Sequence, residues 1–205
     1  MFQYQLPQRV RLQYGNAVTV RLVRTRDAQE LQRLMQRQRE WLKPWEATYP
    51  GSEAAQSHEI QMRSTVRALL RSFRGGTVLP LVIEVDGAVV GQVTVSEMSG
   101  GALQNAQLGY WISQDHAGRG ITPIAVALTI DFLFFQLGLH RVEICVVPEN
   151  SKSLRVVEKL GLRAEGLRQR YIHIDGAWRD HRCFAVTSEE VPEGMLQRLV
   201  SRENT

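Results

Sequence analysis

The stretch from Gly109 to Thr122, read as strand, glycine turn and helix start, constrains this chain more than any other. Gly118 and Gly120 let successive backbone N–H groups converge without Cβ obstruction. A helix beginning near Ile121 adds unpaired donors and the positive end of its dipole. Such a nest binds an anion, typically a phosphate. An ordinary strand-to-helix turn that happens to hold two glycines reads the same way at this stage. Two phosphate motifs are excluded. A Walker A loop needs Gly-Lys-Ser/Thr at its end, and a dinucleotide fingerprint needs a third small residue plus an acidic residue after a second strand. A nucleotide-diphosphate ligand of another kind, such as coenzyme A, stays open.

At 205 residues and 43% hydrophobic content, the chain suits one domain, 1–205, with a sizeable core. No run of about 18 apolar residues occurs, and Met1 to Pro7 lacks the pattern of a signal peptide, so a soluble, cytoplasmic protein without membrane contact is expected. The net charge of +4 suits an anionic cofactor. Its arginines are scattered, so direct nucleic-acid binding is not implied. The only cysteines, Cys145 and Cys183, lie in apolar alternating runs. They read as core packing, not as a disulfide framework or a metal cluster. As an acyl carrier neither has a histidine placed beside it by sequence.

Residues 17–24 alternate as a half-buried strand, and Asp27 with Glu30 has the spacing of a capping box opening a helix. Pro44 ends that helix between Trp41 and Trp45, which read as closing the core beneath the loop or as walling a binding site. Gly51-Ser52 opens a second helix that Gly75-Gly76 stops. Residues 77–97 form two strands joined at Asp86-Gly87, and 103–113 a third that runs into the glycine loop. Residues 124–137 are apolar almost all round, marking a buried helix. A strand at 141–147, a helix capped by Asn150, a hairpin of 163–173 with 177–187, and a weak amphipathic helix near Met195 complete the chain.

This order resembles the GNAT acyltransferase family, as do the motifs. Asp115-His116-Ala117-Gly118-Arg119-Gly120 matches the glycines of that family's loop, Gln/Arg-x-x-Gly-x-Gly/Ala, and carries Asp at its first place. More specific are Trp41-Leu42-Lys43-Pro44-Trp45-Glu46, Gly109-Tyr110-Trp111-Ile112, Pro148-Glu149-Asn150-Ser151-Lys152-Ser153, Glu158-Lys159-Leu160-Gly161-Leu162, and Ile174-Asp175-Gly176-Ala177-Trp178-Arg179-Asp180-His181. Together these are similar to the RimJ/RimL group of ribosomal-protein N-terminal acetyltransferases, with the RimJ type nearer.

The resemblance implies an α/β fold with a mixed, mostly antiparallel seven-stranded sheet, helices on both faces, and a splay between the fourth and fifth strands. The pantetheine arm of acetyl-CoA would lie in that V, between 108–113, Ile112 included, and 142–147. Its pyrophosphate would sit on Ala117, Gly118, Arg119, Gly120, Ile121 and Thr122. Asn150 would contact the pantetheine, with an N-cap as its other reading, and Ser153 matches the position of the acid toward the leaving thiolate. Expected partners are therefore acetyl-CoA and the N-terminus of a protein, in particular a ribosomal protein beginning with Ala or Ser. Alternatives are a small-molecule amine as acceptor or a non-catalytic acyl-CoA-binding sensor. No metal is implied.

Family members often carry a Glu on the fourth strand, whereas 103–108 here holds no carboxylate. An α-amine with pKa about 7.8 is roughly 14% neutral at pH about 7, against roughly 0.04% for lysine, a difference of about 3.5 kcal/mol. A site poor in bases therefore fits an α-amine. Glu46 is the candidate to attract the ammonium or relay its proton, or else a solvated loop carboxylate; His173 is a second candidate, or else an ordinary strand histidine.

Overall fold

The computed structural model describes residues 11–14, 18–51 and 61–203. Eight strands form one sheet in the order β1-β2-β3-β4-β5-β6-β8-β7. They are β1 (Arg11–Tyr14), β2 (Val18–Leu22), β3 (Leu79–Val85), β4 (Ala88–Ser99), β5 (Asn105–Ile112), β6 (Arg141–Val146), β7 (Arg163–Ile174) and β8 (Ala177–Thr187). The expected seven strands become eight because Arg11–Tyr14 pairs antiparallel with β2, extending the sheet at its edge. Among the described strands only β5 and β6 pair in parallel.

Alternation decides the two faces. Val20, Leu81, Ile83, Val93, Leu108 and Ile144 are buried on one face, beneath α4 (Ile121–Phe135), which α5 (Ser151–Leu160) and α6 (Met195–Glu203) flank. That enclosure explains why α4 is apolar nearly all round. On the other face Val82 packs with Leu31 of α1 (Ala28–Arg37) and with Met62 and Val66 of α3 (Met62–Arg74). The start expected for that second helix falls partly in 52–60, outside the described residues, and α3 begins after Gln61.

Two local readings are corrected. Asp27 makes no side-chain cap on α1, because its carboxylate is taken by the guanidinium of Arg21 and by the Arg24 N–H, at 2.7 Å each. Arg21, only 4% exposed, also pairs with Glu84 and so ties the start of α1 to β2 and β3. Desolvation pulls the Asp27 carboxyl up, yet the Arg21 and Arg24 bonds hold it below its ordinary pKa. The second correction concerns the cysteines. Cys145 and Cys183 are opposite one another on β6 and β8 and are joined as a disulfide. Parity put both in apolar runs; the sheet order, with β8 and not β7 beside β6, put them together.

The Asp86-Gly87 hairpin is as expected, both residues having positive φ. Gly91 serves a different need: a Cβ there would stand 2.3 Å from the Trp111 carbonyl, so only glycine lets β4 approach β5 this closely. Asp131 of α4 accepts from the N–H groups of Met195 and Leu196 and thereby seats α6.

Candidate active site

β5 and β6 pair only through Asn105↔Arg141, Ala106↔Val142 and Gln107↔Glu143, although they continue to Ile112 and Val146. Beyond the Gln107–Glu143 rung they part as a V. The Ser113 N–H is bound to the Val90 carbonyl of β4. Strand backbone alternates in direction, so the polar backbone groups of Tyr110 and Ile112 face the V.

At the mouth of the V lies the glycine loop. Gly118 and Gly120 have φ of 77° and 75°, and a Cβ on either would meet nothing within 4 Å, so both leave an open cradle. The N–H groups of residues 118–122 have no acceptor among the described residues, and Gly120 caps α4 without a side-chain bond. Ala117 differs from its neighbours, because its N–H is used by the Gln114 carbonyl in a 3-10 turn. Donors converging at a helix start fit a pyrophosphate, and the unpaired strand edges of the V fit an amide-bearing arm.

Asn150 fulfils its capping reading: its side-chain oxygen accepts the Ser153 N–H at 3.1 Å. That fixes the first turn of α5 beside the V. The half-buried Ser153 hydroxyl makes no hydrogen bond among the described residues. The phenol of Tyr110 donates to the Ser153 carbonyl at 3.2 Å, joining β5 to α5 across the splay. Burial pushes this phenol above its ordinary pKa, so it stays protonated.

The segment 38–48 roofs the opposite face. Trp41 is not core. Its indole N–H donates to the Ile112 carbonyl at 3.0 Å, and the Lys152 ammonium lies 3.8 Å from its ring centroid. Gln38 accepts the Gln114 N–H at 3.1 Å and donates to Asp115 at 3.3 Å. Asp115, the departure from the family loop, is thus the anchor of the roof. At the far end Thr48 bonds His173 through backbone and side chain, and Ala47 bridges Ile174. Glu46 is paired with Arg39.

The floor of this chamber escaped sequence reasoning. The Gln107 amide reaches the Tyr171 hydroxyl at 3.2 Å, and Glu143, the carboxylate beside the apex, is forked by Arg168 and also bonded by Arg141. Gly109 leaves open space above the floor. His181, 3% exposed, donates from Nδ1 to the Arg179 carbonyl, and desolvation lowers its pKa, so it is neutral at pH 7. The donor atoms of Glu143, Cys145 and Cys183 lie within 4.8 Å of one another, but the sulfurs are bonded to each other and the carboxylate to two guanidiniums.

A splayed strand pair, a glycine nest and an Asn-capped helix together define an acyl-CoA-dependent acyltransferase scaffold. Residues 17–163 match the acetyltransferase (GNAT) domain family, and the chain belongs to it. Its relatives make the class narrower. The chain is 28% identical over 179 residues, 86% of its length, to [Ribosomal protein uS5]-alanine N-acetyltransferase of Escherichia coli, covering 91% of that protein. It is 39% identical over 105 residues to the probable N-acetyltransferase YjcK of Bacillus subtilis, a match spanning 58% of that relative. Among solved structures it superposes on Mycobacterium smegmatis RimJ in complex with CoA-disulfide with a TM-score of 0.88, 38% identity and 98% of each chain covered. The chain is therefore a GNAT acetyltransferase related to the RimJ/RimL enzymes, and its cofactor is acetyl-CoA. No helix among the described residues is long and apolar enough to cross a membrane.

Proposed function

We propose that this chain transfers acetyl to the N-terminal α-amine of a protein, in the first instance a ribosomal protein beginning with Ala or Ser. One observation carries the choice of amine. The candidate bases are already engaged, Glu143 beside the apex by Arg168 and Arg141, and in the roof Glu46 by Arg39 and His173 by Thr48. His181 is a weakened base. A chamber so short of free proton acceptors favours an amine that is already partly neutral. The name of the Escherichia coli relative points the same way.

Acetyl-CoA supplies an acetyl thioester when bound. The backbone N–H groups of residues 118–122 would hold the pyrophosphate, and the V-facing groups of Tyr110 with the N–H of Ile112 would hold the arm. Asn150 contributes by setting the first turn of α5. Ser153, its hydroxyl otherwise unengaged, donates a proton to the departing sulfur, while Tyr110 keeps the Ser153 backbone in place. Glu46 stands in the roof paired with Arg39, so an incoming ammonium meets a carboxylate whose charge is already balanced. Holding both reactants in one geometry removes part of the entropic barrier.

The test is the pH dependence of kcat/KM with an Ala-initiated peptide, beside the same peptide blocked at its N-terminus and carrying an internal lysine. The rate should rise with pH as the substrate amine titrates near about pH 8. A controlling pKa near 6 would reveal an enzymic base, and efficient acetylation of the blocked peptide would exclude the α-amine assignment. Acetyl-CoA binding without turnover of either peptide would identify a sensor instead.

A further inference from the structure

The cysteine pair has no part in the transfer reaction, yet it adjoins the apex. Gln107 and Glu143 form the last rung between β5 and β6, and Cys145, two residues on, is the next position of β6 on the roofed face. Gly109, the corresponding next position of β5, adds no side chain opposite. Cys145 is part-exposed, whereas Cys183 is 4% exposed. The Cα atoms of the pair are 4.2 Å apart across a register-matched rung, so two thiols there meet without strand movement. A guanidinium nitrogen of Arg168 lies 3.7 Å from the Cys145 sulfur, and Glu143 stands 3.4 Å away as acceptor for its S–H in the reduced form.

We propose that Cys145 is a thiol–disulfide exchange site for CoA-borne disulfides, with Cys183 as the resolving thiol. The inference rests on the pantetheine arm lying in the V, because that placement delivers a CoA sulfur to the apex. The reduced Cys145 thiolate attacks one sulfur of CoA disulfide, forming a Cys145–CoA bond as the CoA–CoA bond breaks and one CoA leaves as thiolate. Cys183, deprotonated, then attacks the Cys145 sulfur, forms the Cys145–Cys183 bond and expels the second CoA. Two protein thiols lose two electrons, one CoA disulfide gains them, and the two cysteine protons end on the two CoA thiols. Between the two steps CoA fills the V and acetyl transfer stops. Resolution by Cys183 frees the V, so the pair protects the site from staying blocked.

The experiment uses the reduced full chain, Cys183→Ser and Cys145→Ser, each mixed with CoA disulfide or with oxidised glutathione and followed by intact mass. Cys183→Ser should accumulate one CoA adduct, roughly tenfold or more faster than a glutathione adduct, because binding raises the local concentration of the CoA sulfur. Excess acetyl-CoA should slow it, and acetyl transfer should fall in step with adduct and return on reduction. The wild type should pass to the intramolecular disulfide without retaining CoA, and Cys145→Ser should take up neither. An adduct on Cys183 in Cys145→Ser, or equal rates with the two disulfides in Cys183→Ser, overturns the proposal. Calorimetric binding of acetyl-CoA to each variant separates the two failures: intact binding with no CoA preference rejects the exchange site alone, whereas a CoA adduct that acetyl-CoA does not slow rejects the placement of the arm.

Discussion

Gly120 offers the sharpest separation between fold and ligand. Its φ of 75° is left-handed, which costs an L-residue about 1–2 kcal/mol, and a Cβ built there meets nothing within 4 Å. Alanine and glutamate at this position therefore incur the same backbone cost, and the Cβ they share meets no neighbour in the free protein. For a domain of this size that corresponds to a drop in Tm of about 2–8 °C for Gly120→Ala, and a smaller one for Gly120→Glu, whose carboxylate meets the positive end of α4. Ligand affinity should divide them. A carboxylate about 5 Å from one phosphate charge, at an effective dielectric of about 20, repels by roughly 3 kcal/mol, or about two orders of magnitude in Kd. The gap between the variants should shrink on raising the salt concentration, since the loop is at the surface. Titration calorimetry with acetyl-CoA at two ionic strengths measures it. Equal affinity of the two variants would mean that the pyrophosphate does not rest on residues 118–122.

Ser153→Ala should lower turnover by roughly 10- to 10³-fold with acetyl-CoA affinity nearly intact, as expected of a proton donor used only in the transition state; equal losses in both would make Ser153 a cofactor contact. Arg21→Met leaves Asp27 and Glu84 without their common partner, their side chains 6% and 14% exposed, and should cost about 3–5 kcal/mol in urea unfolding. A loss comparable to that of a surface pair would refute this. Asp131→Ala should cost about 1 kcal/mol by uncapping α6, and Asp131→Asn less. Burial raises the Asp131 pKa despite its two N–H bonds, so its contribution to stability is full below the ordinary value of 3.8 and declines as pH rises through the folded value. Asp131→Asn should lack that slope when stability is measured against pH.

What could be read from the sequence was local. The glycine loop, the Asn150 cap, the Asp86-Gly87 hairpin and the buried helix each depend on residues within a few positions of one another, and periodicity or turn chemistry reports them. The positions of Cys145 and Cys183 were visible as well, but their meeting depends on β8 inserting between β6 and β7. Gln107 and Tyr171, 64 residues apart, meet by the same long-range route. Asp27 misled because its spacing to Glu30 suits a cap, while a buried guanidinium from β2 is a stronger partner for a carboxylate than one helix N–H. A single edge strand such as Arg11–Tyr14, four residues long, gives too short a period to read.

The Asp115 departure illustrates how a motif mismatch changes meaning once contacts are known. Compared with the family loop, Asp at its first place looks like a weakened cofactor motif, since it removes a donor from beside the phosphates. The free donors of the loop, however, are backbone N–H groups of residues 118–122 and do not depend on that side chain. Asp115 instead accepts from Gln38, whose own oxygen holds the Gln114 N–H, so the amide of one roof residue spans the loop backbone and its carboxylate. Three residues further on, Trp41 caps the Ile112 carbonyl, and Lys152 from the start of α5 packs on the same indole. The roof over the acceptor chamber is thereby fastened to the cofactor loop, the end of β5 and the helix that carries Ser153. A side chain at position 115 that could not accept from Gln38 would loosen the roof before it altered any phosphate contact, so its effect belongs on the acceptor side of the reaction.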